Sequence, residues 1–343
     1  MFTYVCQRFL LLLPTFIGVT LVAFFIIHLA PGDPAALRAG GGLGAAGAEG
    51  ISSERRGAVD QALAAWRAQY GLDRPLPVQY WRWLRNLFTL EFGNSFKDSQ
   101  PVWHKIAERL PITMQLNAVS LVLIYTVAIP LGIYSATRPY SFGDQMTTFV
   151  AFLLFALPSF WIGTLAIVFL CGGDFLDLFP PGGVTSVEYS STWSVWQRLG
   201  DRAWHLCLPV LVLSYGGFAG LSRFMRSSML ENIRQDYVQT ARAKGLSEHW
   251  VIYKHVLRNS LIPIVTIMAS IFPGLISGSV IIETIFSIPG VGLLAYEAVL
   301  ARDYPIIMAV FTIGSLLTLV SILLSDILLT LVDPRITFSG RSA

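Results

Sequence analysis

Apolar residues are concentrated in six long runs that are separated by polar, charged or proline-containing segments. An α-helix needs roughly 17–25 residues to cross about 30 Å of bilayer hydrocarbon, and each run reaches that length. The runs are Phe9–Leu29, Ile112–Ser135, Gln145–Gly173, Leu206–Ser222, Asn259–Ile282 and Pro305–Ser325. The pattern therefore predicts an all-α integral membrane protein with six transmembrane helices.

The first run is too long for the apolar core of a secretory signal, which spans about 7–15 residues. Pro31, Asp33 and Pro34 follow it, where a cleavage site would need small residues. We therefore interpret Phe9–Leu29 as a retained first span.

Composition supports a membrane protein and argues against other classes. Hydrophobic residues form 54% of the 343 residues. Charged residues form 13%, about half of the roughly 25% found in soluble domains. A net charge of +3 without a Lys/Arg run argues against a nucleic-acid partner. Three cysteines are too few for a disulfide framework, and a bond between Cys171 and Cys207, which flank adjoining runs, is left open.

The distribution of Lys and Arg beside the runs predicts the topology, because cytoplasmic flanks carry the excess of these residues. The side that holds both termini carries Arg8, Arg138, Arg223, Arg226, Arg234, Arg242, Lys244, Lys254, Arg258, Arg335 and Arg341, and the other side carries Arg198, Arg202 and Arg302. Both termini are therefore predicted to be cytoplasmic. The predicted divisions are a first helix at 1–30, a long outer segment at 31–111, a membrane core at 112–332 and a cytoplasmic tail at 333–343.

The outer segment changes character along its length. Residues 38–50 are rich in Ala and Gly, which is typical of a flexible insertion. Ser53–Tyr70 is predicted to be helical. Val78–Leu90 mixes aromatic residues with Arg82 and Arg85, which suits either a helix in the lipid headgroup layer or a helix packed on the outer face of the protein.

The most informative cytoplasmic segment is predicted at 223–258. Apolar and small residues recur there at helical spacing, so a helix should continue out of the membrane; they are Met229, Ile233, Tyr237, Thr240 and Ala241. Gly245 suits the left-handed residue that ends a helix, and Ser247 suits the cap of the next helix. The small side chains of Thr240, Ala241 and Ala243 would permit close approach of a partner backbone. The residues alone leave an alternative open, a basic loop that only sets topology and contacts anionic lipid.

The string DYVQTARAKGL at Asp236–Leu246 resembles the cytoplasmic signature loop of permease subunits of ATP-binding-cassette importers. The strings TARAKG and, at His255–Asn259, HVLRN make it similar to the oligopeptide/dipeptide branch of that family. Further similar segments are HLAPGDP at His28–Pro34, Tyr70–Asn94, IETIFSIPGVG at Ile282–Gly292, DYP at Asp303–Pro305, and LVDPR at Leu331–Arg335. Phe169–Ser186 resembles a branch associated with uptake of microcin C and related peptides.

The resemblance implies a type I importer permease fold and a set of partners. These are a second homologous permease subunit, two ATP-binding subunits and an external peptide-binding protein, in the cytoplasmic (inner) membrane of a bacterium. The sequence contains no Gly-Lys dipeptide, so it has no Walker phosphate-binding loop. ATP and Mg²⁺ are therefore expected on the partner ATPases, and no cofactor is expected in this chain.

The resemblance also implies that the loop couples the ATPases to the membrane helices. The implied coupling residues are Tyr237, Thr240, Ala241, Arg242, Ala243, Lys244 and Gly245. Ala241 is expected to pack closely, Gly245 to form the turn, and Arg242 and Lys244 either to pair with acidic groups of an ATPase or to serve only as topology signals. The sequence departs from the broad signature, because Gln239 and Thr240 stand where Glu and Ala are usual.

Glu283, Pro289 and Gly290 form the second candidate site, at the outer end of the predicted fifth span. A carboxylate beside a Pro-Gly pair favours an irregular segment at an outer gate, and the alternative is a carboxylate that caps backbone groups. The histidines lack metal-ligand spacing, so no metal site is predicted.

Two other classes of protein compete with a permease. A secondary transporter would need a charged relay or an inverted repeat, and a membrane enzyme would need a nucleophile with its base or metal ligands at bilayer depth. Neither pattern is evident in the sequence, so the importer permease is preferred.

Overall fold

The computed structural model describes residues 2–29, 53–172, 175–190, 192–269, 274–275 and 278–332. The helices are α1 (Phe2–Leu29), α2 (Ser53–Tyr70), α3 (Leu76–Phe88), α4 (Val102–Thr137), α5 (Phe142–Ala156), α6 (Ser159–Leu170), α7 (Val195–Ile233), α8 (Asp236–Ala243), α9 (Glu248–Trp250), a π-helix at Val251–Val256, α10 (Leu257–Ser260), α11 (Ile262–Ala269), α12 (Val280–Ile285), α13 (Val291–Ala301) and α14 (Tyr304–Val332). In this part of the chain, β structure is limited to isolated bridges, Asn94 with Pro101 and Cys171 with Asp177. The predicted all-α class agrees with these elements.

Four helices are long and apolar enough to cross a membrane: α1, α4, α7 and α14. They contain the predicted first, second, fourth and sixth runs. Helix α7 extends beyond its run at both ends, and a reciprocal capping box of Ser194 and Gln197 marks its start well before the apolar residues begin.

The third run is not one straight span. Helices α5 and α6 are bent by 95° relative to each other at Leu157 and Pro158. A residue before proline avoids the helical region, and Leu157 accordingly has an extended ψ of 126°. If this bent pair counts as one span, the described helices provide five.

The predicted fifth span lies partly outside the described residues. Its described parts include α11 and α12, both shorter than a membrane crossing. The Ala/Gly-rich tract at 38–50 and the tail at 333–343 also lie outside the described residues.

The chain divides by packing into two units. The larger unit contains Leu110–Leu293 with 2–6 and 317–332, and the smaller unit contains Gln7–Arg109 with Leu294–Leu316, in each case as far as these residues are described. This division separates segments that pack together, whereas the predicted divisions at 31 and 112 separate segments that lie on different sides of the membrane or within it.

The smaller unit has a core of aromatic and aliphatic side chains, including Phe24, Phe96 and Ile306. Helix α2 has the predicted bounds and packs Trp66 and Tyr70 against Phe96.

Helix α3 also packs on this core, which supports the packed alternative for Val78–Leu90. Leu84 is buried, and the Tyr80 hydroxyl lies 3.1 Å from Thr20 Oγ1 of α1. Trp81 and Phe88, on its other side, remain exposed.

A buried carboxylate also holds the smaller unit together. Asp303 accepts hydrogen bonds from the Ser95 hydroxyl and from the backbone N–H groups of Phe96 and Lys97. These bonds anchor the loop before α4 to the residues before α14.

In the larger unit, α4 and α7 approach closely at Gly132 of α4, which has no side chain. A Cβ at Gly132 would lie 2.8 Å from the Ser222 carbonyl oxygen, so only glycine fits there. Cys171 and Cys207 are both free thiols, which answers the question left open by the sequence.

Candidate functional site

The first candidate site is the segment that joins α7 to α11. Helix α7 ends at Ile233, and Gln235 adopts an extended ψ of 150° before α8 begins. The helix thus continues beyond its apolar run through Met229 and Ile233, as predicted, but the prediction that it also includes Tyr237 is wrong. Asn232 forms the corner, because its side chain donates to the Ser228 carbonyl and accepts from the Tyr237 hydroxyl at 3.0 Å.

Gly245 ends α8 as the sequence predicts. Its φ is +78°, in the left-handed region. The Gly245 N–H donates to the Arg242 carbonyl and the Leu246 N–H donates to the Ala241 carbonyl, which is the hydrogen-bond pattern of a Schellman cap. No atom lies within 4 Å of a Cβ placed at this position, so the backbone conformation and not crowding selects glycine.

The returning helical run begins after Ser247, the predicted cap residue. Ser247 makes no side-chain capping bond, so only its position is confirmed. The run passes through a π-helix at Val251–Val256 before α10. Ser228 and Ser260 then join it to α7 by reciprocal bonds, each hydroxyl donating to the other residue's carbonyl at 3.0 and 3.3 Å.

Arg242 has a partner inside the chain. Its guanidinium donates to both carboxylate oxygens of Glu248, at 3.0 and 2.6 Å. The hydrogen bonds from Arg242 lower the pKa of the Glu248 carboxyl, and the same bonds raise the pKa of Arg242. Arg242 is thus engaged across the Gly245 turn, whereas the sequence suggested either an ATPase contact or a topology signal.

The buried face of α8 consists of Val238 and Ala241. Both belong to a core that includes Val251, Ile252 and Val256 of the π-helix. The close packing expected of Ala241 is therefore made within the chain, and Ala241 is not presented to a partner. The opposite, exposed face presents Tyr237, Thr240, Ala243, Lys244 and Gly245, together with Gln239.

The second candidate site is built around Glu283, which is fully buried on α12. Its carboxylate accepts from the Thr113 hydroxyl at 3.1 Å, from the Leu293 N–H at 2.8 Å and from the Ser279 N–H at 3.3 Å. Thr113 in turn accepts from the Val291 N–H at 2.8 Å. This is the capping arrangement that the sequence offered as the alternative to a gate.

Gly290 leaves room for that carboxylate. A Cβ at Gly290 would lie 2.6 Å from Glu283 Oε1. Pro289 precedes it, in the segment that separates α12 from α13. The three residues named from the sequence thus lie in one compact structure, held by Thr113 from α4.

Sequence reasoning did not single out Glu248, Val238 or Thr113. Glu248 has a local signal, since an acidic residue directly after Ser247 is typical of a first helical turn. Thr113 has none, because it lies 170 positions from Glu283.

The described residues contain no group of three or more His, Cys, Asp or Glu side chains that could hold a metal ion. The candidate sites therefore consist of a helical loop with an exposed polar face and a buried carboxylate that organises a backbone turn.

Comparison with known proteins identifies the kind of molecule that carries these sites. Residues 128–338 match the family described as the inner membrane component of binding-protein-dependent transport systems. Residues 1–117 match the N-terminal membrane component of the same systems. The chain belongs to this family. The resemblance inferred from the sequence is confirmed, and the chain is a multi-pass integral membrane protein.

Curated relatives match nearly the whole chain. The oligopeptide transport system permease protein AppB of Bacillus subtilis (strain 168) is 40% identical over 339 residues, covering 98% of this chain and 100% of AppB. The inner membrane ABC transporter permease protein YejB of Escherichia coli O157:H7 is 37% identical, covering 98% and 99%. The peptidoglycan transport system permease protein YejB of Agrobacterium fabrum (strain C58 / ATCC 33970) is 36% identical, with the same coverage.

Proposed function

We propose that this chain is the transmembrane permease subunit of an ATP-driven peptide importer in the inner membrane of a bacterium. It would form half of the translocation pathway, with a second homologous permease subunit forming the other half. The proposal is supported by the family and by relatives named for oligopeptide and dipeptide transport. An external peptide-binding protein would deliver the substrate, as the description of the family implies.

ATP hydrolysis is assigned to two separate subunits. The chain has no Gly-Lys dipeptide and therefore no Walker loop to bind nucleotide phosphates. ATP and Mg²⁺ would be held by those subunits, and this chain would contribute no catalytic residue.

The observation that carries the coupling role is the construction of the loop. Helix α8 buries Val238 and Ala241 against the π-helix and exposes a polar face with small side chains at Thr240 and Ala243. A protein docked on that face can approach closely, because neither side chain projects far from the helix.

Movement of α8 would be passed to the membrane helices through specific contacts. The Tyr237 hydroxyl is bonded to Asn232 of α7, and the Ser228–Ser260 pair joins α7 to the returning helix. The loop would therefore move as a rigid body with the ends of two helical runs when the ATPases close. Lys244, exposed beside Gly245, would be the cation available to an acidic group of the ATPase.

The Glu283 structure is assigned to the outer part of the pathway. With the predicted topology, Glu283, Pro289 and Gly290 would form a firm outer turn that closes against the second permease. We assign the carboxylate a structural role and not that of a gate that opens by titration, since it is fully engaged by Thr113 and two backbone N–H groups.

Co-purification from the native host tests the proposal directly. The tagged chain would be extracted in mild detergent and its partners identified by mass spectrometry. We expect a second permease and one or two kinds of ATP-binding chain. Recovery of the chain alone, intact and monodisperse, would contradict the importer assignment and favour a secondary transporter.

A matched pair of variants locates the docking face. Ala243→Trp places a large side chain on the exposed face of α8, and Ala203→Trp makes the same change on an exposed position of α7. We expect the first variant to lose the ATPases while keeping the second permease, and the control to keep both. Equal retention of the ATPases by both variants would contradict docking on α8.

A further inference from the structure

A groove beside α8 carries cationic side chains that neither the coupling role nor the buried core uses. It has a volume of about 550 Å³, and its lining includes Lys254, His255 and Arg258 together with Tyr237 of α8. No Asp or Glu is among its lining residues. A groove of this composition favours an anion.

Two other arginines of the larger unit already have carboxylate partners. Arg242 is paired with Glu248, and Arg226 is paired with Asp144. Among the described residues, Lys254 and Arg258 form no ion pair, and Lys254 only contacts the Trp250 ring, 5.2 Å from its centroid. Their charges are therefore available to a ligand.

The backbone at this point departs from regular α-helix. Lys254 and His255 lie in the π-helix Val251–Val256, which inserts a wider turn before Arg258. π-Helical turns are rare, and they occur frequently at functional sites. Val251, Ile252 and Val256 of this turn lie in the core, while Lys254 of the same turn and Arg258 of α10 line the groove.

The lining of the groove also includes aliphatic side chains. These are Leu261, Ile262 and Val265, and the last two belong to α11, at the start of the predicted fifth span. A soluble phosphate would use only the cationic side chains. A lipid would use both kinds of side chain, with its phosphodiester on the cations and an acyl chain along the aliphatic residues.

We propose that this groove binds a phospholipid with an anionic headgroup. Lys254 and Arg258 hold the headgroup phosphate, and Leu261, Ile262 and Val265 contact the first part of an acyl chain. Basic pockets on the cytoplasmic side of membrane proteins recognise anionic headgroups in this way. The bound lipid would lie against Tyr237 and so support the position of α8, a dependence that goes beyond the permease role.

Lipid binding to the full-length chain tests this proposal. The purified chain would be titrated with phosphatidylglycerol and bound lipid counted by native mass spectrometry, with phosphatidylcholine as the neutral probe. K254Q/R258Q removes both cations, and R138Q/R234Q removes two exposed cations of the same predicted side outside the groove. Since each cation near an anionic lipid contributes a factor of about five, we expect roughly 30-fold weaker phosphatidylglycerol binding in the first variant. The second variant should bind as the wild type does.

Two further measurements show whether a loss of lipid binding comes from loss of the site. K254R/R258K retains both charges and should restore binding, which separates loss of the site from misfolding. Inorganic phosphate should not displace the lipid. Equal loss in both double variants, equal binding of the neutral lipid, or displacement by inorganic phosphate would each overturn the proposal.

Discussion

Arg242 and Glu248 join the two sides of the Gly245 turn by a pair of hydrogen bonds, 3.0 and 2.6 Å long. The turn itself is closed by the N–H groups of Gly245 and Leu246, so backbone and side chains fix the same geometry. The exposed face of α8 is thereby held at a set angle to the returning helix. If this segment transmits ATPase closure, its stiffness is the property that matters, and it can be altered one bond at a time.

Replacing Gly245 tests the backbone part of that stiffness. A β-branched residue with φ near +78° is strained, and the cost for L-residues is about 1–2 kcal/mol. Since a Cβ meets no atom of this chain there, the effect of Gly245→Val within the chain should come from backbone conformation. We expect impaired peptide uptake and weaker coupling to ATP hydrolysis with normal membrane insertion, measured in reconstituted vesicles.

Gly245→Asn is the matched control, because asparagine tolerates the left-handed region. It should retain most of the uptake. Uptake that survives Gly245→Val unchanged would remove the turn from the coupling mechanism and leave the loop as a topology signal.

The ion pair between Arg242 and Glu248 contributes the side-chain part of the stiffness of the turn. Both partners are exposed, and such pairs are worth about 0.2–1 kcal/mol. Glu248→Gln should therefore raise amide hydrogen exchange at Gly245 and Leu246 by no more than about fivefold. Lysine in place of Arg242 keeps the charge but loses the two-point contact, and should give an intermediate effect. A tenfold or larger change would mean that the pair does more than stabilise the turn.

The pH dependence of this pair has a definite sign. The pKa of Glu248 is lower in the folded chain than its ordinary value, because Arg242 donates to the ionised carboxylate. The stabilisation is therefore fully present above the ordinary pKa of about 4.3 and is lost as the pH falls through the lower, folded value. After correction for the intrinsic exchange rate, protection of Leu246 should be constant at neutral pH and fall only in acid, with no such fall in Glu248→Gln.

Much of the helical framework could be predicted from the sequence, because apolar length and local caps carry the information. Helix α2 has its predicted bounds, and Gly245 lies where a helix end was expected. Proline was a weaker guide. Helix α4 continues through Pro130, whereas the chain turns sharply at Pro158, and only the surrounding packing distinguishes the two outcomes.

The side-chain contacts of the sites were less predictable. The Arg242–Glu248 pair is local, six positions apart, yet the charge of Arg242 also fits an ATPase contact or the topology rule, and the sequence does not distinguish these from a partner inside the chain. Contacts such as Thr113 with Glu283 depend on tertiary structure, so no local pattern reports them.

An ion pair between α5 and α7 predicts a large stability effect. Arg226 makes two 2.7 Å bonds to Asp144, which is 3% exposed. Removing one partner leaves a buried charge, at a cost of about 3–5 kcal/mol. Arg226→Gln should markedly lower the unfolding temperature in detergent, whereas Arg234→Gln, at an exposed cation without a described ion pair, should not. Similar unfolding temperatures for the two variants would contradict the structural role of the Arg226–Asp144 pair.

A side chain added at Gly290 would occupy the space of the Glu283 carboxylate. Substitutions at these two positions should therefore have non-additive effects on stability. Glu283→Ala leaves the Thr113 hydroxyl and the N–H groups of Ser279 and Leu293 without their acceptor, at about 1–3 kcal/mol for each buried group. Gly290→Ala places a methyl group against the carboxylate, and overpacking of this kind costs about 1–3 kcal/mol.

In the double variant, the alanine at 290 occupies space that the carboxylate has vacated. Its destabilisation should therefore be at least about 1 kcal/mol smaller than the sum of the two single effects, measured as free energies of unfolding in detergent. Gly314→Ala is the control, since a Cβ at Gly314 meets no atom within 4 Å, and it should combine additively with Glu283→Ala. Additivity at Gly290 as well would mean that the glycine is required for its backbone and not for the room it gives Glu283.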